Sequence, residues 1–209
     1  MPPQFPITCD LGHTRGERER RRTHREMVSV KLRPIQISDA EICFRWISDP
    51  LVGRFLGLLE PARSLEQERS WISNILVDKQ HQCAFVIEDE RSIPIGTCGL
   101  RGIDREKGTA LLGIMIGETG YWDKGFGTVA TKALLSHAFC ELGLHEVHLS
   151  CHPENHRALC CYEKSGFCRK PGPAVHPSTG REEVRMVAER EAWLVEHGPR
   201  PCSEGSSLS

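Results

Sequence analysis

Gly113-Ile-Met-Ile-Gly-Glu-Thr-Gly-Tyr-Trp-Asp-Lys-Gly-Phe-Gly-Thr128 decides how the rest of the chain is read. Its upstream end belongs to an apolar run, 111–116, short enough for a buried strand. Gly117-Glu-Thr-Gly120 turns the chain. Gly125-Phe-Gly-Thr128 then opens a helical pattern carried by Val129, Leu134, Leu135, Ala138, Phe139 and Leu142. The first N–H groups of a helix have no partner within it, and the helix dipole adds partial positive charge at the same end. Glycine has no Cβ, so a ligand can come close to such a backbone. An anion site over 124–128 follows, and a diphosphate fits it. Taken alone, Gly125 and Gly127 read as well as tight packing at a helix start. The dinucleotide fingerprint lacks its third glycine here, and the phosphate-loop pattern Gly-x-x-x-x-Gly-Lys-Ser/Thr is missing too.

Upstream of this stretch, 28–32 alternates like a strand. Ser38-Asp-Ala-Glu41 is a capping box for a helix with Ile42 and Trp46 on one face, ending before Pro50. Ser64-Leu-Glu-Gln67 is a second box, for a helix carrying Ile72, Ile75 and Leu76. Strands follow at 83–87 and 93–103, the latter beginning in earnest after Pro94. Downstream, the helix opened by the glycines runs over 124–142. A strand at 146–151 puts Val147, Leu149 and Cys151 on one face. Asn155 is a good helix N-cap and Gly166 a good terminator. Tyr162, seven residues on from Asn155, shares its helix face. A strand to about Lys170, a proline-rich loop and a strand at 183–188 complete the order. It describes one mixed α/β domain over 27–195. Residues 1–26 are Pro-rich, then Arg-rich, without apolar periodicity, and are expected to be disordered; so is the Gly, Ser and Pro-rich tail at 196–209.

The 209 residues carry a formal net charge of −1, which calls for neither a nucleic-acid nor a membrane partner in bulk. No apolar run approaches a membrane span. The ten cysteines include no Cys-x-x-Cys, and the start of the chain has no apolar core of a signal peptide, so reduced thiols in a cytoplasmic protein are expected. His145, His148, His152 and His156 are almost regularly spaced, but the first three fall on a strand and its exit, where four-residue spacing does not build one ligand face. No metal site is expected.

On Gly113-Ile-Met-Ile-Gly, Tyr121-Trp-Asp-Lys-Gly-Phe-Gly-Thr, Asn155…Tyr162-Glu-Lys-Ser-Gly-Phe, Leu32-Arg-Pro…Asp39 and Gly180-Arg-Glu-Glu-Val-Arg-Met, the chain resembles the GNAT acetyltransferase superfamily. Within it, the chain looks most like the ribosomal-protein N-terminal, polyamine and related small-amine acetyltransferases. The resemblance implies a mixed, mostly antiparallel sheet flanked by about four helices and splayed between 111–116 and 146–151. It implies acetyl-coenzyme A in that cleft, with Met115 and Ile116 backbone on the pantetheine and the N–H groups of Lys124, Gly125, Phe126, Gly127 and Thr128 on the pyrophosphate. An Arg or Gln often stands where this chain has Trp122. The acceptor is expected to be a small amine, a protein N-terminus or a lysine, and the protein a monomer or homodimer.

Direct acetyl transfer needs a deprotonated amine, donors for the oxyanion and a proton for the leaving thiolate. The resemblance makes Tyr162 the acid and puts Asn155 on the pantetheine arm. Taken singly, Tyr162 reads as a core aromatic and Asn155 as a plain cap. The base is less defined. Relatives often place Glu where Leu111 stands; Glu118 is the nearest carboxylate, in a turn, and water is the other route. Two other readings remain: a catalytically silent acyl-coenzyme A-binding module, supported by Leu111, and a nucleotide-phosphate binder, which lacks acidic ribose or magnesium ligands after the glycine turn.

Overall fold

The computed structural model describes residues 28–56, 64–172, 174–175, 180 and 182–197. Its strands are β1 (Lys31–Pro34), β2 (Gln82–Glu88), β3 (Pro94–Asp104), β4 (Thr109–Ile116), β5 (Glu146–Cys151), β6 (Cys168–Arg169), β7 (Ala174–Val175) and β8 (Glu182–Glu189). Its helices are α1 (Ala40–Ser48), α2 (Pro50–Gly53), α3 (Leu65–Val77), α4 (Phe126–Ser136), α5 (His156–Lys164) and α6 (Arg190–His197). A π-type turn, His137–Glu141, prolongs α4. The sheet order is β1-β2-β3-β4-β5-β8-β6, with β7 paired to β8. Among the described strands only β4 and β5 run parallel; the other pairs are antiparallel. The mixed, mostly antiparallel sheet is therefore as expected. The helices outnumber the four expected by the single turn of α2 and by α6.

Alternation along the strands sends side chains to two faces. On one, Leu32, Leu100, Leu112, Val147, Leu149 and Met186 are buried with Ala130, Leu134 and Phe139 of α4 and its extension, Leu159 and Tyr162 of α5, and Trp193 of α6. On the other, Val86 packs with Cys43 and Trp46 of α1, Val52 of α2, and Ile72 and Ile75 of α3, with Met115 at the margin. Burying each Leu, Ile, Val, Met or Phe among them contributes about 1.5–3 kcal/mol. Helices α1–α3 cover only the β1–β3 side of their face, which leaves part of β4, β5 and β8 open.

Several expected boundaries move for physical reasons. The first strand lies at Lys31–Pro34, not 28–32, because its register runs from Lys31↔Glu88 to Pro34↔Phe85. Pro34, which cannot donate to a ladder, is tolerated on this edge strand. The first helix is entered through a 3-10 turn, Ile37–Asp39, where the Gln36 N–H donates to Asp39 Oδ2 at 2.7 Å, so the box sits upstream of the Ser38 box expected. Ser64 and Gln67 form the second box as read. The Leu32-Arg-Pro…Asp39 signature is a clamp: Arg33 grips Asp39 with both terminal nitrogens, at 3.0 and 2.9 Å, and Glu88 through Nε at 2.8 Å.

Helix α6 was not expected at all. Its residues were expected to lie in the domain without a helix, but Trp193 is buried, donates Nε1–H to the Ser165 carbonyl at 3.2 Å, and packs against Phe139 at 5.7 Å between ring centroids. The helix runs to His197, two residues past the expected domain end at 195. The tail expected at 1–26 lies outside the described residues; of the tail expected at 196–209, residues 196 and 197 are helical and the rest lies outside the described residues.

Candidate active site

β4 and β5 pair only through Thr109↔Glu146, Ala110↔Val147 and Leu111↔His148. Beyond that point each strand keeps its outer partner. β4 stays on β3 as far as Gly96↔Ile116, and β5 stays on β8 as far as Cys151↔Val184. The two facing edges separate and expose backbone polar groups that need partners. The resulting groove has one wall made by the end of β4, including Met115 and Ile116, and another made by the end of β5. Trp122, standing where relatives often carry Arg or Gln, donates Nε1–H to the Ile116 carbonyl at 2.8 Å and fixes the end of that wall.

The groove leads to the N-terminus of α4. Gly125 is its N-cap, at φ 97°, a left-handed conformation that favours glycine. No Cβ neighbour lies within 4 Å of it, so this backbone faces open space. Val129 N–H is the first to find a helical partner, the Gly125 carbonyl, at 3.0 Å. The N–H groups of Phe126, Gly127 and Thr128 have no acceptor among the described residues. Gly127 has a second reason to be glycine: a Cβ there would sit 3.3 Å from Cys161 Sγ on α5. Thr128 Oγ1 also meets Cys161 Sγ, at 3.6 Å. The loop before α4 is tied down by Tyr121, whose hydroxyl donates to Asp89 Oδ2 at 2.9 Å and whose ring meets Phe126 edge-on at 4.9 Å. Lys124 is exposed beside it. Arg157 at the start of α5 lays its guanidinium 3.6 Å over the Trp122 ring, adding a cation beside this turn.

Asn155 caps α5, its Oδ1 accepting the Ala158 N–H at 3.2 Å. That leaves its amide NH₂ for a ligand. Tyr162, further along the same face of α5, is 8% exposed and stacks edge-on against Phe167 at 5.9 Å. Burial, then the neighbouring Cys151 and Cys161 thiols, pushes its phenol well above the usual tyrosine range. Its hydroxyl has no hydrogen-bond partner among the described residues.

On the opposite face, where β4 and β5 begin to part, lies a pocket of about 260 Å³. Leu111, His148, Ser150, Lys170 and Arg185 line it, together with Leu149 and Met186. The register explains the group. Leu111 pairs with His148, and Ser150 with Arg185; Lys170 N–H donates to the Arg185 carbonyl at 2.8 Å. Paired residues share a face, and Val147, Leu149 and Met186 are committed to the other one.

Glu118 lies in the turn after β4, as expected, but it is not simply solvated. Its Oε1 accepts Trp46 Nε1–H at 2.8 Å and pairs with Arg45 Nη2, so it ties α1 to the end of the central strand. The cysteines described are all free thiols, three of them, Cys43, Cys98 and Cys151, buried as small hydrophobes. Among the described residues no cluster of metal-ligating side chains occurs, and no helix is long and apolar enough to cross a membrane.

The mixed sheet thus opens between two parallel strands, with a bare helix N-terminus at the end of the opening. The family described as an acetyltransferase (GNAT) domain matches residues 29–168, and the chain belongs to it. An uncharacterized N-acetyltransferase p20 of Bacillus licheniformis is 29% identical over 148 residues, 67% of this chain and 82% of that protein. Spermidine N-acetyltransferase of Vibrio cholerae, solved with CoA and spermine, superposes with TM-score 0.71 at 22% identity, over 79% of this chain and 98% of that one. Another structure of the Vibrio enzyme, described as a dodecamer in an intermediate state, superposes at 0.66 with 23% identity, over 80% and 97%. The protein is an acyltransferase that moves an acetyl group to an amine.

Proposed function

We propose that the chain transfers the acetyl group of acetyl-coenzyme A directly to a primary amine held with it in a ternary complex. The observation that carries this reading is the parting of β4 and β5 beyond Leu111↔His148, above the bare N-terminus of α4. An amide-bearing arm fits the groove between the strand ends, where Met115 and Ile116 offer backbone and Asn155 an amide. A diphosphate fits the N–H groups of 124–128, with Lys124 and Arg157 beside them. The reacting thioester then lies at the splay, with Tyr162 beneath it and the pocket above.

In the transfer, the amine lone pair attacks the thioester carbonyl and forms the N–C bond. Backbone N–H near Met115 receives the oxyanion. As the C–S bond breaks, Tyr162 supplies the proton to sulfur. Thiol release from acetyl-coenzyme A, followed with a panel of amines, tests the reading. Turnover with at least one primary amine is expected. Tight acetyl-coenzyme A binding without thiol release from any amine supports the silent module instead.

The pocket face carries Arg185 and Lys170 together with Glu146 and Glu189, so its two cations are accompanied by two carboxylates and its charge does not restrict the acceptor beyond a primary amine.

A further inference from the structure

Resting on the acetyl-transfer reading above, we infer that His148, held by Glu146, is the catalytic base that takes the proton from the acceptor amine. The position across the splay where relatives often carry Glu is Leu111, which has no proton-accepting group. His148 is its register partner on the next strand, at the last pair before β4 and β5 part. Both side chains project to the pocket face. A base displaced by one strand thus stands at the same mouth of the groove.

The ring is also oriented for the task. His148 Nε2 lies 3.0 Å from Glu146 Oε2. With Nε2–H donating to that carboxylate, the other ring nitrogen, Nδ1, is left as the acceptor. The carboxylate fixes the tautomer and stabilises the imidazolium that forms, the same division of labour as in a Ser-His-Asp triad. The His148 side chain is 35% exposed, so an acceptor and a departing proton can both reach it. Among side chains, imidazole is the one whose ordinary pKa of about 6.5 leaves it both neutral and basic near pH 7.

The proton balance is simple. The amine nitrogen forms its bond to the acetyl carbon and passes one proton to Nδ1. The thiolate leaves with a proton from Tyr162 on the other face. The base then loses its proton to water through the open pocket, Tyr162 regains a proton from solvent as the products leave, and no other reactant is needed.

Titratable groups share this face with His148. Glu146 lies on the same strand, Arg185 and Glu189 on β8, and Cys168 and Lys170 on and just after β6. From β4 comes Leu111, which is uncharged. A base must be unprotonated, so kcat/KM rises with pH as the imidazole loses its proton and again as the amine loses its own.

The test uses His148→Gln in the full chain, with the best amine from the panel. The expected result is a loss of about 10²–10⁴-fold in kcat/KM. The lower of the two ionisations disappears from the pH profile, while affinity for acetyl-coenzyme A and the melting temperature hold. Free imidazole then restores part of the rate to His148→Ala, and Leu111→Glu restores part of it in the His148→Gln background. Should His148→Gln lose its melting transition, His148→Asn is measured in its place. A rate within about threefold of wild type, with both ionisations retained, falls outside the worth of a positioned base; it overturns the inference and leaves acetyl transfer standing. A wild-type protein that binds acetyl-coenzyme A but acetylates no amine overturns both.

Discussion

Gly127→Glu is expected to leave a folded protein with no measurable affinity for acetyl-coenzyme A. The first turn of α4 offers three N–H groups without acceptors among the described residues, at Phe126, Gly127 and Thr128. A glutamate at 127 brings a carboxylate into the place proposed for a diphosphate. Two unit charges about 4 Å apart near a protein surface repel by about 4 kcal/mol. At about 1.4 kcal/mol per decade, that alone weakens binding roughly 10³-fold. Bulk adds to charge, because the new Cβ already stands 3.3 Å from Cys161 Sγ and 3.8 Å from Ile116 Cγ1. The side chain is therefore crowded away from α5 and β4. Calorimetry with the folded variant decides the matter, and unchanged affinity refutes the assignment of 124–128 to the pyrophosphate. Gly127→Ala separates the two effects. It carries the same crowding without the charge, and it is expected to lose far less affinity than Gly127→Glu.

The central strand, the glycine turn and α4 were legible because each is local. An apolar run, a left-handed glycine and a periodic helix follow one another directly, and every signal agrees. The same holds for Ser64 and Gln67, which cap α3 as read. What was not legible depends on distant partners. Alternation in 146–151 gave two faces, and it identified Val147, Leu149 and Cys151 as one of them. It could not say that the other face, with His148, borders a pocket, since that needs β4, β8 and Lys170 in register beside it. A histidine on the polar side of a half-buried strand carries no local signal of its role. Glu118 was placed correctly in its turn, but Arg45 and Trp46 reach it from more than seventy residues upstream. Helix α6 was missed for a related reason. Trp193 finds its cavity between Phe139 and Ser165, neither of which the terminal sequence announces.

Tyr162→Phe is expected to lower kcat by about 10²–10⁴-fold, the usual worth of a positioned acid, with KM for acetyl-coenzyme A nearly unchanged. The phenylalanine ring keeps the packing against Phe167 and the α5 face, so fold and groove survive. A core role alone predicts the reverse pattern, a lowered melting temperature with little change in chemistry. The hydroxyl lacks a hydrogen-bond partner among the described residues, so its removal strands no buried group. Burial of Tyr162 sets the sign of the pH dependence. A general acid must be protonated, and its phenol is held above the ordinary tyrosine value of 10.0. Wild-type kcat therefore shows no falling limb from this residue below that ordinary value, and any such limb in that range belongs to another group. A phenol so weakly acidic gives up its proton only as negative charge gathers on sulfur. Its contribution thus tracks the basicity of the leaving thiolate. With an acyl donor whose leaving group is already stable as an anion, the penalty in Tyr162→Phe shrinks, because that group departs without a proton. Full activity in Tyr162→Phe with acetyl-coenzyme A, or a penalty indifferent to the leaving group, refutes the acid role and assigns the proton to water.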